Sequence, residues 1–156
     1  MAAATLGGSA VVATPAQAEV PFGTGPTAVP LGVQDGDWPA HFRTRVLLDQ
    51  VRADAGLAPL GWAPDTDRVA GDWAWEIARR GVLQHNQALR WRVEGYRLYA
   101  ENVGYGGDAD QIMRAFLDSR GHRQNILNPA VDTVGVGAVR SADGRLWIVE
   151  VFKDTV

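Results

Sequence analysis

The 156-residue chain contains no cysteine, so no disulfide bond can support its fold. Its stability must therefore come from an apolar core. Hydrophobic residues make up 46% of the sequence and charged residues 21%, a balance typical of a single globular domain. The length is too short for two such domains and long enough for one sizeable core.

An excess of positive charge is also absent. The formal net charge is -3 and the isoelectric point is near 5.5. Although Arg120 and Arg123 flank His122, the chain has no broad basic surface of the kind that neutralises phosphates. We therefore expect no nucleic-acid partner.

No apolar run is long enough to cross a membrane, and we expect no transmembrane segment. Residues 1–18 carry no charge and are mostly small, and this segment ends with Ala16-Gln17-Ala18. Small residues at the third and first positions before Glu19 match a secretory cleavage site. A basic start is missing, which leaves the upstream extent of the signal open. The alternative is an alanine-rich tail.

Residues 19–37 are rich in proline and glycine and nearly uncharged, which is typical of a flexible lead-in. We therefore expect a signal peptide over 1–18, a lead-in over 19–37 and one folded domain over 38–156. A signal peptide predicts a secreted, extracellular protein.

Helical spacing of apolar residues predicts helices over 42–55 and 64–80. A third helix should begin after Asp108, which can cap it, with Gln111 reaching back to the cap's backbone amide. Strands are predicted over 99–105, 133–140 and 145–152, the last two joined by a hairpin at Asp143-Gly144. This order favours a layered α+β fold over an alternating parallel one.

His85, Glu101 and His122 are the residues that best carry chemistry. Two imidazoles and one carboxylate could hold a zinc ion with one open position, or could share protons near neutral pH. The intervals of sixteen and twenty-one residues enforce no metal geometry. Sequence spacing alone therefore leaves open whether the three converge.

Four segments resemble the bacterial branch of the CAP superfamily, which includes cysteine-rich secretory proteins, antigen 5 and pathogenesis-related proteins. These segments are GVLQHN at 81–86, AENVG at 100–104, FLDSRGHRQNIL at 116–127 and VGVG at 134–137. The resemblance runs from about residue 42 to 152. It implies an α+β fold, a three-layer α-β-α sandwich with a central antiparallel sheet, and a cleft lined by two histidines and acids.

Carried over by position, His85 and His122 match the two cleft histidines and Glu101 matches the first cleft glutamate. Many eukaryotic members have a second glutamate three residues after an aromatic, and here Ser119 follows Phe116 at that spacing. The implied ligand cleft is therefore His85, Glu101, Ser119 and His122. The implied metal ligands are His85 and His122, with Glu101 as a third ligand to Zn²⁺.

Our leading interpretation is a secreted, monomeric CAP-domain module whose cleft binds a ligand of unknown specificity. Family members have been linked to lipid binding, to defence and to host interaction, so a small molecule, a lipid, a metal or a cell-surface component are the candidate partners. The alternative is a metal-dependent hydrolase of peptide or cell-wall substrates, in which zinc activates a water. A third possibility is a scaffold whose histidines only hold Glu101 in place.

The remaining polar and aromatic residues have structural interpretations. We expect Glu150 to be solvated at a sheet edge or paired with an arginine, with an approach to the cleft as the alternative. His41 is expected on the surface. Ser119 should form a turn or cap rather than act as a nucleophile, because no Gly-x-Ser-x-Gly elbow surrounds it. Other expectations are structural asparagines at Asn102 and Asn125, core tryptophans at Trp62, Trp73, Trp75 and Trp91, and a cleft wall including Trp91 and Tyr96.

Overall fold

The computed structural model describes residues 36–155. The signal predicted over 1–18 and nearly all of the lead-in predicted over 19–37 lie outside the described residues. Within them, four strands form one sheet in the order β1-β3-β4-β2. Their bounds are β1 Gly61–Trp62, β2 Tyr99–Gly106, β3 Thr133–Arg140 and β4 Leu146–Lys153.

The three long strands are antiparallel, as predicted. β4 pairs with β2 on one side and with β3 on the other. The two-residue β1 adds a short parallel pairing to β3, so the complete sheet is mixed. In the β3–β4 hairpin, Gly144 adopts a φ of 85°, a left-handed conformation that costs glycine little. The predicted Asp-Gly hairpin is therefore confirmed.

Helices cover both faces of the sheet. α2 packs on one face against β3 and β4, while α1, α4 and α5 pack on the other. This arrangement confirms the predicted α+β fold with three α-β-α layers. The helices are α1 Trp38–Asp54, α2 Pro64–Arg80, α3 Leu89–Arg92, α4 Ala109–Asp118 and α5 Arg120–Ile126.

Helix α1 begins four residues earlier than the apolar pattern predicted. Asp37 caps it, because the Oδ1 atom of Asp37 accepts from the backbone N–H of Ala40 at 3.0 Å. Pro39 stands in the first turn, where its missing N–H costs nothing. The predicted start at Phe42 followed the apolar spacing and missed this polar cap.

The capping prediction for α4 is confirmed in part. Asp108 accepts from the backbone N–H of Gln111 at 2.7 Å. The Gln111 side chain instead accepts from the N–H of Gly107 at 2.8 Å, one residue before the predicted partner. The helix start is still held by two reciprocal hydrogen bonds.

Strand alternation divides the core into two halves. Leu146, Ile148 and Phe152 of β4 point towards α1, α4 and α5, and Trp147 points towards α2 with its neighbours Val149 and Val151. All six side chains are inaccessible to solvent. β4 is thus buried on both faces, and it is the central strand of the fold.

Two glycines of β3 allow α2 to lie directly on the sheet. A Cβ added at Gly135 would stand 2.2 Å from the carbonyl carbon of Thr66, and one at Gly137 would stand 2.2 Å from the carbonyl oxygen of Ala70. Both atoms belong to the backbone of α2, which cannot move as a side-chain tip would. No other residue type fits at these two positions without displacing the helix.

We expect Gly137→Ala to lower the free energy of unfolding by at least ~2 kcal/mol, because the added methyl group overlaps the α2 backbone. Urea denaturation measures this. Gly71→Ala is the matched control, since a Cβ there meets nothing within 4 Å and alanine favours a helix by ~1 kcal/mol. Equal stability of the two variants would contradict the close-packing argument.

Candidate functional site

The predicted site forms around β2, the strand at one edge of the sheet. Neighbouring residues of a strand face opposite sides. Glu101 therefore faces the α2 side, where the loop after α2 brings His85, and Asn102 faces the α5 side, where His122 lies. The two histidines approach the same strand from opposite layers.

Glu101 is held by two donors from the loop after α2. Nδ1 of His85 lies 2.8 Å from Oε1 of Glu101, and the backbone N–H of Asn86 donates to the same oxygen at 2.9 Å. The Glu101 side chain is only 2% exposed. Because a buried carboxylate is costly unless it is hydrogen-bonded, this pair fastens the loop to β2.

His122 lies in the first turn of α5 and is 1% exposed. Its ring packs 4.8 Å from that of Phe116. Burial, and secondarily the positive charge of a nearby His85, lower the pKa of His122 to about 4. The His122 imidazole is therefore neutral at pH 7, and the two histidines are close enough for their charges to interact.

Ser119 joins α4 to α5. Its backbone N–H donates to the carbonyl of Ala115 at 3.1 Å, and its carbonyl accepts from the N–H of Arg123 at 2.9 Å. These bonds confirm the predicted turn. The hydroxyl makes no capping bond, although the side chain is buried.

Glu101, Ser119 and His122 each carry a buried polar atom that has no hydrogen-bond partner among residues 36–155. These atoms are Oε2 of Glu101, Oγ of Ser119 and Nδ1 of His122. Buried polar atoms are nearly always hydrogen-bonded, and each exception calls for an explanation such as a water, an ion or a ligand. The sequence could identify these residues, but only the packing shows which of their atoms remain available.

His85, Glu101 and His122 are not arranged as the three-ligand zinc site that the resemblance implies. Among residues 36–155, no group of three or more histidine, cysteine, aspartate or glutamate side chains is placed to hold a metal ion. One oxygen of Glu101 is already occupied by His85 and Asn86. The contacts instead describe a hydrogen-bonded pair, His85–Glu101, with His122 nearby.

Next to the pair lies a polar network that the sequence did not reveal. Nδ2 of Asn102 donates to Oε2 of Glu150 at 2.9 Å, and Nδ2 of Asn125 donates to Oδ1 of Asn102 at 2.9 Å. Asn102 also donates to the backbone carbonyl of His122 at 3.3 Å. The expected structural role of both asparagines therefore consists of joining β2 to β4 and α5.

The expectation of a solvated or arginine-paired Glu150 was wrong. Its side chain is fully buried on the same face as Leu146, Ile148 and Phe152. Its partner is Asn102, the residue directly opposite on β2. Burial raises the pKa of Glu150 to about 8, although the Asn102 hydrogen bond opposes the shift. Glu150 is thus mainly protonated at pH 7.

An open groove of about 800 Å³ extends along α2, next to the same loop. Its lining includes Trp38, Trp62, Trp73 and Trp75, and Asn86 stands at its wall. The backbone N–H of Asn86 donates to Glu101. The groove and the buried pair therefore share one loop residue.

Three of the predicted core tryptophans are exposed. Trp62 is 64% exposed, Trp75 40% and Trp91 75%, whereas Trp147 is completely buried against α2. Trp91 is not among the described residues that line the groove along α2, and its expected place with Tyr96 in a wall of the His85–Glu101–His122 cleft stays a prediction. Large apolar side chains indicate a core only on average, and the outer face of α2 is an exception.

The expectation of a surface His41 was also wrong. His41 is 7% exposed, and its Nδ1 lies 2.9 Å from the carbonyl oxygen of Val136. Its Nε2 lies 3.7 Å from Oδ2 of Asp67, a residue of α2. This acidic partner is twenty-six positions away in the chain, so only the packing of α1 beside α2 could reveal it.

A three-layer sandwich with two histidines and a glutamate around the edge strand defines the class of CAP, or SCP-like, domains. The family described as the Cysteine-rich secretory protein family, CAP, matches residues 47–152. The chain belongs to this family. The resemblance seen in its sequence segments is thereby confirmed.

Similar proteins come from several bacteria. The chain is 40% identical over 53 residues to the uncharacterised protein YkwD of Bacillus subtilis, a match that covers 33% of this chain and 20% of YkwD. An outer surface protein of Borrelia burgdorferi has a TM-score of 0.71 at 17% identity, covering 80% of this chain and 98% of that one. An extracellular SCP-domain protein of Bacillus anthracis has a TM-score of 0.64 at 23% identity, covering 75% and 41%.

At these identities the solved structures show the shared fold and nothing further. Among the helices within residues 36–155, none is long and apolar enough to cross a membrane. The fold and the family are thus established.

The two buried titrating groups make stability depend on pH in opposite senses. For Glu150, the folded pKa of about 8 exceeds the ordinary 4.5, so between pH 4.5 and 8 only the unfolded chain loses the proton and stability falls as pH rises. For His122, the folded pKa of about 4 lies below the ordinary 6.5. Stability therefore falls as pH drops from 6.5 to 4.

We expect Glu150→Gln, which keeps the side-chain shape and stays neutral, to remove the loss of stability that the wild type shows as the pH rises from 4.5 to 8. The free energy of unfolding of the variant, measured against that of the wild type, should rise by about 1 to 3 kcal/mol between pH 5 and pH 8. Urea denaturation between pH 5 and 8.5 tests this. Glu94→Gln, a change at an exposed carboxylate, is the control. Parallel pH profiles for all three proteins would show that Glu150 is ionised in the fold.

Proposed function

We propose that the chain is an exported ligand-binding module of the CAP family, with His85, Glu101, Ser119 and His122 at its binding cleft. Export is supported by the cleavage-site pattern before Glu19 and by the names of two similar structures, an outer surface protein and an extracellular protein. The absence of cysteine is no obstacle, because the core fills both faces of β4.

The unpartnered atoms Oε2 of Glu101, Oγ of Ser119 and Nδ1 of His122 carry the binding proposal. A carboxylate oxygen accepts hydrogen bonds, a hydroxyl donates and accepts, and a neutral imidazole nitrogen does one or the other. A small polar group with both donors and acceptors, such as a hydroxyl-bearing head group, satisfies all three. Leaving them unmet costs about 1 to 3 kcal/mol each, which such a ligand would recover.

Several observations favour binding over hydrolysis. Glu101 is 2% exposed and shares one oxygen between His85 and Asn86. His122 is neutral across the physiological range, since its pKa is about 4. A general base needs a pKa near the working pH and access to the proton that it takes. The residues are better suited to hold a polar group than to transfer its protons.

Native mass spectrometry of the protein purified from its culture medium tests both parts of the proposal. We expect a chain that begins at Glu19 and carries a stoichiometric small ligand. His122→Asn should reduce the ligand-bound fraction at least about tenfold, since it shortens the side chain and removes the ring whose Nδ1 would contact the ligand. Phe42→Ala, a change at an aromatic side chain exposed on α1, should leave that fraction unchanged.

A mass that always equals the bare chain would overturn the binding proposal and favour the scaffold alternative, with ordered water meeting the three atoms. A mature protein that keeps residues 1–18 would overturn the proposed cleavage. Loss of ligand in Phe42→Ala as well would show that the bound molecule is not in the predicted cleft.

A further inference from the structure

The groove along α2 exposes aromatic rings that the rest of the fold does not need. Trp38 is 63% exposed, Trp62 64% and Trp75 40%, and all three line the same groove. Exposed apolar surface gathered in one place generally marks a binding site, whereas scattered residues do not. The volume of about 800 Å³ is within the usual range for such sites.

Two of the groove's tryptophan rings, those of Trp62 and Trp73, are held by hydrogen bonds before any ligand arrives. The indole N–H of Trp62 donates to Oδ2 of Asp67, whose other oxygen accepts from the backbone N–H of Val136 at 2.7 Å. The indole N–H of Trp73 donates to the carbonyl of Gln84 at 3.0 Å. Rings fixed in this way lose little conformational entropy on binding, which favours affinity.

Charges of both signs line the groove, four carboxylates and three arginines, and two opposite pairs among them are in contact. Arg80 lies 2.5 Å from Glu76, and Arg92 lies 3.6 Å from Asp72. A groove without an excess of either sign does not select a polyanion or a polycation. The same exposed side chains nevertheless offer many hydrogen-bond donors and acceptors to an uncharged polar ligand.

The indole rings and the polar side chains around them suit a ligand that has flat apolar faces and hydroxyl groups along its edges. Pyranose sugars have that form, since C–H groups cover their ring faces and hydroxyls surround their edges. A lipid chain would require an enclosed apolar cavity, but this groove is open and has a charged rim. A nucleic acid would meet no excess of positive charge.

We propose that this groove binds an uncharged oligosaccharide of linked hexopyranose rings, which stack on Trp62 and Trp75. The groove is lined by different side chains from the His85–Glu101–His122 cleft. The proposal therefore does not depend on the function proposed for that cleft. Asn86 is common to both regions, since it lines the groove and its backbone N–H donates to Glu101.

Isothermal titration of the full protein with cellotetraose and with the N-acetylglucosamine tetramer tests the proposal. We expect saturable binding of at least one of them, together with a change in tryptophan fluorescence. Trp62→Ala and Trp75→Ala should each weaken binding about tenfold or more, because each removes a stacking surface. Trp62→Phe keeps a ring but loses the Asp67 bond, and a smaller loss of a few-fold is expected.

Trp91→Ala is the matched control, since Trp91 is exposed like the others but is not found among the residues that line the groove. It should bind like the wild type. The three substituted tryptophans are not in the buried core, so far-ultraviolet circular dichroism should be unchanged in every variant.

Three results would overturn the proposal. One is the absence of binding by the wild type with either sugar up to about 10 mM, a concentration at which even very weak sites fill. Another is equal weakening by Trp91→Ala and Trp62→Ala. The third is saturable binding, lost in Trp62→Ala, of a proline-rich peptide or of phospholipid vesicles when neither sugar binds.

Discussion

The direct contact between the α2 backbone and β3 is the constraint on which both functional regions depend. Gly135 and Gly137 have no side chain, so the helix lies closer to the sheet there than any other residue type would permit. The inner face of α2 covers Trp147 and its neighbours. The groove lies along this helix and is also lined by residues of β1, β3 and the start of α1. The loop that follows α2 reaches the edge of the sheet, where Asn86 donates to Glu101.

Burial decides the chemistry at that edge. The same removal from water keeps His122 neutral and Glu150 protonated, because the low-dielectric interior disfavours the charged form of either group. Glu101 is buried as well, but His85 and Asn86 supply it with donors. The region therefore consists of polar groups held in place, with His122 and Glu150 both uncharged at pH 7. It is better suited to recognition than to proton transfer.

The elements with strong local signals were predictable. Alternating apolar residues located β2, β3 and β4 to within one residue, and the Asp-Gly turn joined the last two correctly. Four short segments in the right order were enough to indicate the family, and residues 47–152 match it. Helix α1 was placed too late, because its first turn is stabilised by the side chain of Asp37 rather than by an apolar stripe.

Residues whose environment depends on distant partners were not predictable in the same way. Glu150 is neutral because elements from distant parts of the chain bury it, although Asn102, forty-eight positions away, donates to it from the neighbouring strand. His41 is buried because α2 brings Asp67 to it. The sequence by itself determined the strand pattern, the class of fold and the identities of the residues around the edge strand. Only the tertiary structure decided which of their atoms are paired, which groups carry charge, and that tryptophans expected in the core line a groove, because burial is a property of the packed layers and not of any one segment.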